Sequence, residues 1–420
     1  MRIAYVLLDP GIGVFGTKGA SVHVQEVTRA LRADGHQVTV FCTRTDEHVP
    51  VDLADLDVRR HRLPKGKGPE REAAVARAAA DIAAEILAEG FDLAYERYSL
   101  FSDVAARLAA PSGEGGADGM GAADGARPIP TILEVNAPLI TEQRRHRSLY
   151  DEEGAVEATR RQLEAAAVVS CVSPPVAEWT IQQGAVAARV VVTPNGVNTD
   201  RITPRPLGAA AGAPSAHGIG SDGLAADGRA NDGLEADGAA GPVTVGFVGT
   251  LKPWHGTDLL LRALARTRGD LRLDVVGTGP EQGSLEALAA ELGIADRVRL
   301  RGAVAPEEVP AALRGMDIAV APYPAGDHYF SPLKVYEYLA AGLPVVASAI
   351  GTIPSMLEDG ALGVLVPAGD VDALASALDE LAADPGRRAH LGRAARETAV
   401  AEHDWRRRCR DLMDLVQVAA

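Results

Sequence analysis

Apolar and polar residues alternate along most of the chain in a repeating strand and helix pattern. Ile3–Leu8 is an apolar run of strand length, followed by a glycine-rich turn through Gly11, Gly13, Gly16 and Gly19. Val24, Val27 and Leu31 then recur at helical spacing, and Gly35 stands where a helix C-cap needs it. Val38–Cys42 is the next strand, so the opening predicts a β-α-β unit.

Further units follow: a helix over 70–89, strands Phe91–Tyr95 and Thr131–Val135, a helix over 152–166, and strands Val168–Val172 and Val190–Thr193. A second series opens with strand Val243–Val248 and helix 258–267, then strand Leu271–Val276, helix 281–292 and strand Val298–Leu300. It closes with helix 306–314, strand Ile318–Ala321, helix 332–341 and strand Pro344–Ala347. Alternation of this kind predicts an α/β protein with two doubly wound parallel sheets. An amphipathic stretch from Trp405 to Val418 is expected to return to the first unit.

Between the two series, residues 208–241 repeat Asp-Gly every five residues, at Asp222, Asp227, Asp232 and Asp237, among Ala and Gly. Such a composition buries too little apolar surface to order itself, so a disordered linker is expected there, with a similar insert at 112–127. The expected organisation is a first domain over 1–207, the linker over 208–241, a second domain over 242–403 and a returning helix over 404–420.

Composition narrows the partners. With 42 basic against 57 acidic residues the formal charge of −15 disfavours nucleic acid. The three cysteines, Cys42, Cys171 and Cys409, are far apart and follow no zinc or disulfide spacing, which suits a reducing cytoplasm. Ile3–Leu8 is too short for a signal peptide, and no stretch reaches the ~18–20 apolar residues of a membrane span. Two basic clusters, Arg144-Arg145-His146-Arg147 and Arg406-Arg407-Arg408, read as solvated helix faces or as contacts to an anionic acceptor or a membrane surface.

In open parallel sheets ligands sit beyond the carboxyl ends of strands, and the chemical residues of this chain fall there. Gly249-Thr250-Leu251-Lys252-Pro253-Trp254-His255-Gly256 follows the first strand of the second series, and Gly277-Thr278-Gly279-Pro280 follows its second. Glycines allow close backbone approach to a phosphate, and Lys252 offers a compact positive charge. In Ser331-Pro332-Leu333-Lys334-Val335-Tyr336-Glu337, Ser331 reads as an N-cap and Pro332 as the first helical residue, with Gly342 ending the helix. The free amides at that start suit a diphosphate, and Glu337 lies where a carboxylate can take two ribose hydroxyls.

That segment, with the Gly249 loop, Gly277-x-Gly279-Pro280 and Pro194-Asn195-Gly196-Val197-Asn198, resembles the retaining glycosyltransferase family 4, whose fold is GT-B. The resemblance covers nearly all the chain outside the two low-complexity stretches. It implies two Rossmann-like domains facing each other across a cleft, and a nucleotide-sugar co-substrate, UDP-linked by the commonest family habit, with neither cofactor nor metal. It places Glu337 as the second glutamate of an E-x7-E motif, whose first position holds Tyr329 here. Asp327, His328 or main chain near Phe330-Ser331 are then expected to meet the donor sugar. Thr250 stands where an arginine is usual and His255 near a usual lysine, so Lys252 is the expected phosphate cation, with Lys334 as helper. Gly16 and Gly19 match the glycine loop that approaches the donor, Asn136 stands where a sugar-facing histidine is usual, and Glu96 and Arg97 are candidate acceptor readers. His23 reads as a packed or surface histidine rather than a catalytic one.

The implied reaction is transfer of a hexose-type sugar with retention, by front-face attack in which the leaving diphosphate takes the acceptor proton. The acceptor is a small molecule or lipid-linked. A GT-B epimerase or phosphorylase and a non-catalytic nucleotide-sugar-binding subunit are the rival readings.

Overall fold

The computed structural model describes residues 1–110, 127–146, 148–206, 241–326 and 328–419. Nearly all of the expected linker and of the insert at 112–127 lies outside the described residues, as does Asp327.

Seven strands form the first sheet: β1 (Arg2–Leu7), β2 (Gln37–Cys42), β3 (Asp57–Arg60), β4 (Leu93–Arg97), β5 (Thr131–Val135), β6 (Val168–Cys171) and β7 (Val190–Val192). Six form the second: β8 (Val243–Val248), β9 (Leu271–Val276), β10 (Val298–Gly302), β11 (Ile318–Ala321), β12 (Val345–Ser348) and β13 (Gly363–Val366). Their orders are β3-β2-β1-β4-β5-β6-β7 and β10-β9-β8-β11-β12-β13. Every paired strand is parallel. In each sheet the order reverses beside the first strand, β1 or β8, which opens a crevice at the carboxyl ends of the central strands.

The helices around the first sheet are α1 (Gly19–Ala33), α2 (Pro69–Glu89), α3 (Val104–Ala109), α4 (Leu139–His146), α5 (Glu152–Ala165) and α6 (Pro174–Gln182). Around the second are α7 (Thr257–Arg266), α8 (Gln282–Glu291), α9 (Val309–Arg314), α10 (Leu333–Ala340), α11 (Ile353–Met356), α12 (Val371–Ala383) and α13 (Pro385–Glu402), and the chain closes with α14 (Trp405–Ala419). Apolar residues on both faces of both sheets are fully buried, as helices on both sides of a parallel sheet require. None of the described helices is long and apolar enough to cross a membrane.

Two strands escape the periodicity reading. β3 is polar and lies at an edge, with no residue of Asp57-Val58-Arg59-Arg60 buried, so it carries no apolar pattern. β13 is four residues long and begins at Gly363, whose added Cβ would stand 2.6 Å from the Val345 carbonyl. Short edge strands of this kind show little in sequence because the neighbouring strand, rather than their own side chains, selects them.

The domains are tied by two chain crossings that run side by side. After β7 the chain enters the second domain, where Val197 and Ile202 join its core. There the Val197 N–H donates to the His403 carbonyl at 2.8 Å, and the Trp405 N–H donates back to the Val197 carbonyl at 3.1 Å. Arg396 donates to the carbonyls of Thr199, Ile202 and Ala340, fastening the outgoing crossing to α10. The return is α14, whose Trp405, Cys409, Leu412, Met413 and Val416 are buried in the first domain's core against α1. Each such burial contributes about 1.5–3 kcal/mol, so the docking of α14 is a substantial restraint on the domain pair.

Candidate active site

A cavity of about 650 Å³ lies between the domains, at the carboxyl ends of both sheets. The first domain supplies Thr17, Lys18 and the start of α1 to His23, with Arg97 at the end of β4 and Asn136 after β5. The second supplies Gly249 and Thr250 after β8, Gly277 and Thr278 after β9, the 303–309 turn, and Ser331 to Lys334 with Glu337.

α10 begins at Leu333, one residue later than its caps suggest, because Pro332 is extended (φ −76°, ψ 104°). Ser331 does not cap it. Its Oγ accepts the Asn195 N–H at 3.1 Å, and its carbonyl accepts the Asn195 side-chain amide at 2.6 Å. Ser331 thus joins the outgoing crossing to the floor of the cavity, and of the first-turn residues of α10 it is Leu333 and Lys334 that line it, the Val335 N–H already donating to the Pro332 carbonyl at 3.0 Å.

The cation at this helix start is Lys334, not Lys252. Lys334 Nζ is buried without a hydrogen bond among the described residues, 4.1 Å from the Phe247 ring centroid and 5.4 Å from that of Tyr323. Burial lowers its pKa to about 7, against the pull of Glu337. Lys252 does not line the cavity; its Nζ lies over the Trp254 ring at 5.5 Å. His255 lines the cavity but is neutral at pH 7: burial, then Lys334, lowers its pKa to about 4, and its Nδ1–H donates to the Thr250 carbonyl.

Glu337, one turn beyond Lys334, makes no hydrogen bond among the described residues, and burial raises its pKa to about 7 while Arg201 and Lys334 oppose the rise. Gly249 and Gly277 both line the cavity with left-handed φ of 149° and 142°. A Cβ at Gly277 would stand 1.9 Å from the Gly249 carbonyl oxygen, so the two glycines let adjacent strand ends approach. Gly279 does not reach the cavity; its missing Cβ makes room for the Leu251 backbone at 2.1 Å.

On the opposite wall Gly19 starts α1 and lines the cavity, and its Cβ position lies 3.5 Å from Leu333 Cδ1, so the first turns of α1 and α10 meet. Gly16 does not line the cavity; an added Cβ there would meet Ser21 Oγ at 2.5 Å and Asp46 Oδ2 at 2.8 Å, and its carbonyl accepts the Gln25 side-chain amide at 3.0 Å. Asn136 lines it with a buried Oδ1 that has no partner among the described residues. Arg97 lines it too, its Nη1 buried without a hydrogen bond 3.7 Å from Glu134. Glu96 points the other way along the same strand: fully buried, it accepts the Ser102 hydroxyl and the Ala105 N–H at 3.2 Å. The alternation of β4 places consecutive residues on opposite faces, so Glu96 is sequestered at α3 and away from any acceptor.

His23 is buried but faces the cavity. Its Nε2 lies 2.8 Å from both oxygens of Glu134, which also accepts the Tyr95 hydroxyl at 3.2 Å. Burial would raise the Glu134 pKa, but His23, Arg97 and Tyr95 together hold it below the usual carboxylate range. One signal for Glu134 was present in sequence: a single acid inside the apolar strand Thr131–Val135, where an unpaired charge is costly.

The loop before α10 departs most from expectation. His328 does not line the cavity; its Nε2–H donates to the Pro324 carbonyl at 3.0 Å. Tyr329 reaches across to the first domain, where its hydroxyl bonds Glu142 of α4 and its carbonyl accepts the Ser173 hydroxyl at 2.5 Å. Phe330, beside it, lines the cavity.

Two facing Rossmann-like domains with a lysine-bearing cleft between them are the GT-B fold. Residues 17–201 match the model described as Glycosyltransferase Family 4, and residues 242–384 that described as Glycosyl transferases group 1. The chain belongs to glycosyltransferase family 4. It is 30% identical over 441 aligned positions to the D-inositol 3-phosphate glycosyltransferase of Geodermatophilus obscurus, covering 98% of this chain and 87% of that one. It is 34% identical over 230 residues to the GDP-mannose-dependent alpha-(1-6)-phosphatidylinositol monomannoside mannosyltransferase of Mycolicibacterium smegmatis, covering 53% of this chain and 55% of the relative. The chain spans about half or less of several curated relatives it matches, 55%, 37% and 48% of their lengths. Sucrose-phosphate synthase from Thermosynechococcus elongatus shares the fold, with a TM-score of 0.69 at 21% identity over 100% of this chain and 98% of that one.

Proposed function

We propose that the chain transfers a hexose-type sugar from a nucleoside diphosphate donor, held on the second domain, to an acceptor entering along the first. The observation that carries this is the start of α10: a buried lysine amino group without a hydrogen bond among the described residues, Lys334, one turn from an uncommitted carboxylate, Glu337, both lining the interdomain cavity. A diphosphate on the first-turn amides would engage Lys334, and Glu337 would accept two ribose hydroxyls. Catalysis then consists of positioning the donor and stabilising the departing diphosphate, and the anomeric configuration is retained.

The base is uridine or guanosine: uridine from the family resemblance, guanosine from the donor named for the mycobacterial relative. Both relatives described above are named for acceptors that contain an inositol and a phosphate, which supports a polyol phosphate or its lipid-linked form here. Cytoplasmic action, with peripheral contact to a membrane for a lipid-linked acceptor, completes the reading.

The test combines UDP-glucose, UDP-N-acetylglucosamine and GDP-mannose with D-inositol 3-phosphate, following the product's anomeric proton by NMR. Glu337→Ala should weaken donor binding by about 10–150-fold, the equivalent of ~1.5–3 kcal/mol. Its melting temperature should stay near that of the wild type. Donor binding without transfer or hydrolysis would favour the non-catalytic subunit, and a released, altered sugar without acceptor would favour the epimerase.

A further inference from the structure

The first-domain wall holds three polar groups that the nucleotide reading does not use. Arg97 Nη1 and Asn136 Oδ1 are buried without hydrogen bonds, and His23 bonds only through Nε2, leaving Nδ1 without a partner among the described residues. All three residues line the cavity. Glu134, behind them, accepts from His23 at 2.8 Å and lies 3.7 Å from Arg97 Nη1. Trp405 of the returning helix closes the back of the cluster, its ring edge-on to His23 at 4.7 Å between centroids.

The position of this cluster follows from α1. Its first turn meets that of α10 at Gly19 and Leu333, and a helix rises about 1.5 Å per residue, so His23 lies one turn, about 6 Å, deeper in the first domain. A diphosphate at the α10 start therefore abuts α1, and the group attached to it is what extends toward His23. The cluster offers an acceptor at Asn136 Oδ1, a donor at Arg97 and, with Nε2–H given to Glu134, a further polar atom at His23 Nδ1 that accepts in the neutral ring and donates in the cationic one. Hydroxyls both donate and accept, so vicinal sugar hydroxyls fill this set without leaving a buried polar group unpaired.

We propose that His23 and Arg97 form the subsite for the sugar of the donor, and that Glu134 is the positioning residue that orients both. This rests on the α10 start being the diphosphate site. Glu134 fixes the histidine tautomer and holds the guanidinium at the wall, and Trp405 prevents the imidazole from turning away.

The experiment measures, by calorimetry, the affinity of a nucleotide sugar and of its bare nucleoside diphosphate, using whichever of UDP-glucose, UDP-N-acetylglucosamine and GDP-mannose binds the wild type best. Glu134→Gln and His23→Asn should each lose tenfold or more in nucleotide-sugar affinity while the bare diphosphate stays within twofold. The double variant should lose little more than the worse single one, since both changes disable one unit. Equal losses for the two ligands, or undiminished sugar binding in a folded His23→Asn protein, would overturn the subsite. Should Glu134→Gln fail to fold, His23→Asn alone decides by the same ratio. A wild type that binds none of the nucleotides would instead remove the diphosphate reading on which the subsite stands, whereas one that binds sugar and bare forms alike overturns the subsite alone.

Discussion

Lys334 is where a single residue has the most measurable consequences. Its folded pKa, about 7, is depressed from 10.5 by burial. Stability from the neutral amine is therefore complete above the unfolded value and is lost as pH falls through the folded one. Lys334→Met should then raise the melting temperature of the free protein more at pH 6 than at pH 9.5, read by scanning fluorimetry. Diphosphate binding has the opposite demand, since it favours the ammonium. Nucleoside diphosphate affinity in the wild type should fall as pH rises above about 7, and Lys334→Met should bind more weakly with that Lys334-dependent slope removed. Lys252→Ala, tested beside it, should leave affinity within about twofold, because Lys252 stands over Trp254 and does not line the cavity. A tenfold loss there would return the phosphate role to Lys252.

At the scale of elements, the site depends on how closely strand ends and helix starts can approach. Gly277 holds φ of 142° with the Gly249 carbonyl oxygen where its Cβ would be, so Gly277→Ala combines backbone strain with a collision. A destabilisation of at least about 2 kcal/mol in urea unfolding is expected. Gly19→Ala makes only ordinary contact, 3.5 Å from Leu333 Cδ1, and should fold with nearly wild-type stability. Equal effects of the two would show that the β8 and β9 loop approach is less tight than the structure has it. These two glycines have the same composition signal in sequence and differ only in what surrounds them.

For the whole molecule, the pairing of the two crossings is the feature that holds the cleft. α14 adds Trp405, Leu412, Met413 and Val416 to the first domain's core although it follows the last helix of the second. A chain ending at Glu402 should lose several kcal/mol of first-domain stability and expose apolar surface to a reporter dye. Trp405→Ala should reproduce about 3–5 kcal/mol of that loss. Gly196 belongs to the same device, since a Cβ there would press on the Trp405 ring at 2.8 Å. If the truncated chain melts like the full one, α14 is an appendage and the domains are oriented by other contacts.

Much of this architecture was legible because it is local. Period-2 and period-3.6 hydrophobicity, glycine turns and caps are each written within a few residues, and they suffice for two parallel sheets and for α10 with Lys334 and Glu337 on one face. The edge strand β3 was not legible, because its pairing with β2 leaves no apolar trace. Nor was the choice between Lys252 and Lys334: both are lysines near glycines, and only the packing of Phe247 and Tyr323 around one of them decides which ammonium is buried at the cleft. Glu96 and Arg97 are neighbours in sequence that the pleat of β4 sends to opposite faces. His23 and Glu134 are 111 residues apart, and no local pattern relates them. Their meeting is set by β1, β4 and β5 lying side by side, with α1 and α14 covering that face. Local sequence determines which elements form, whereas partnership among charges in a low-dielectric interior is decided by distances that exist only once those elements have packed.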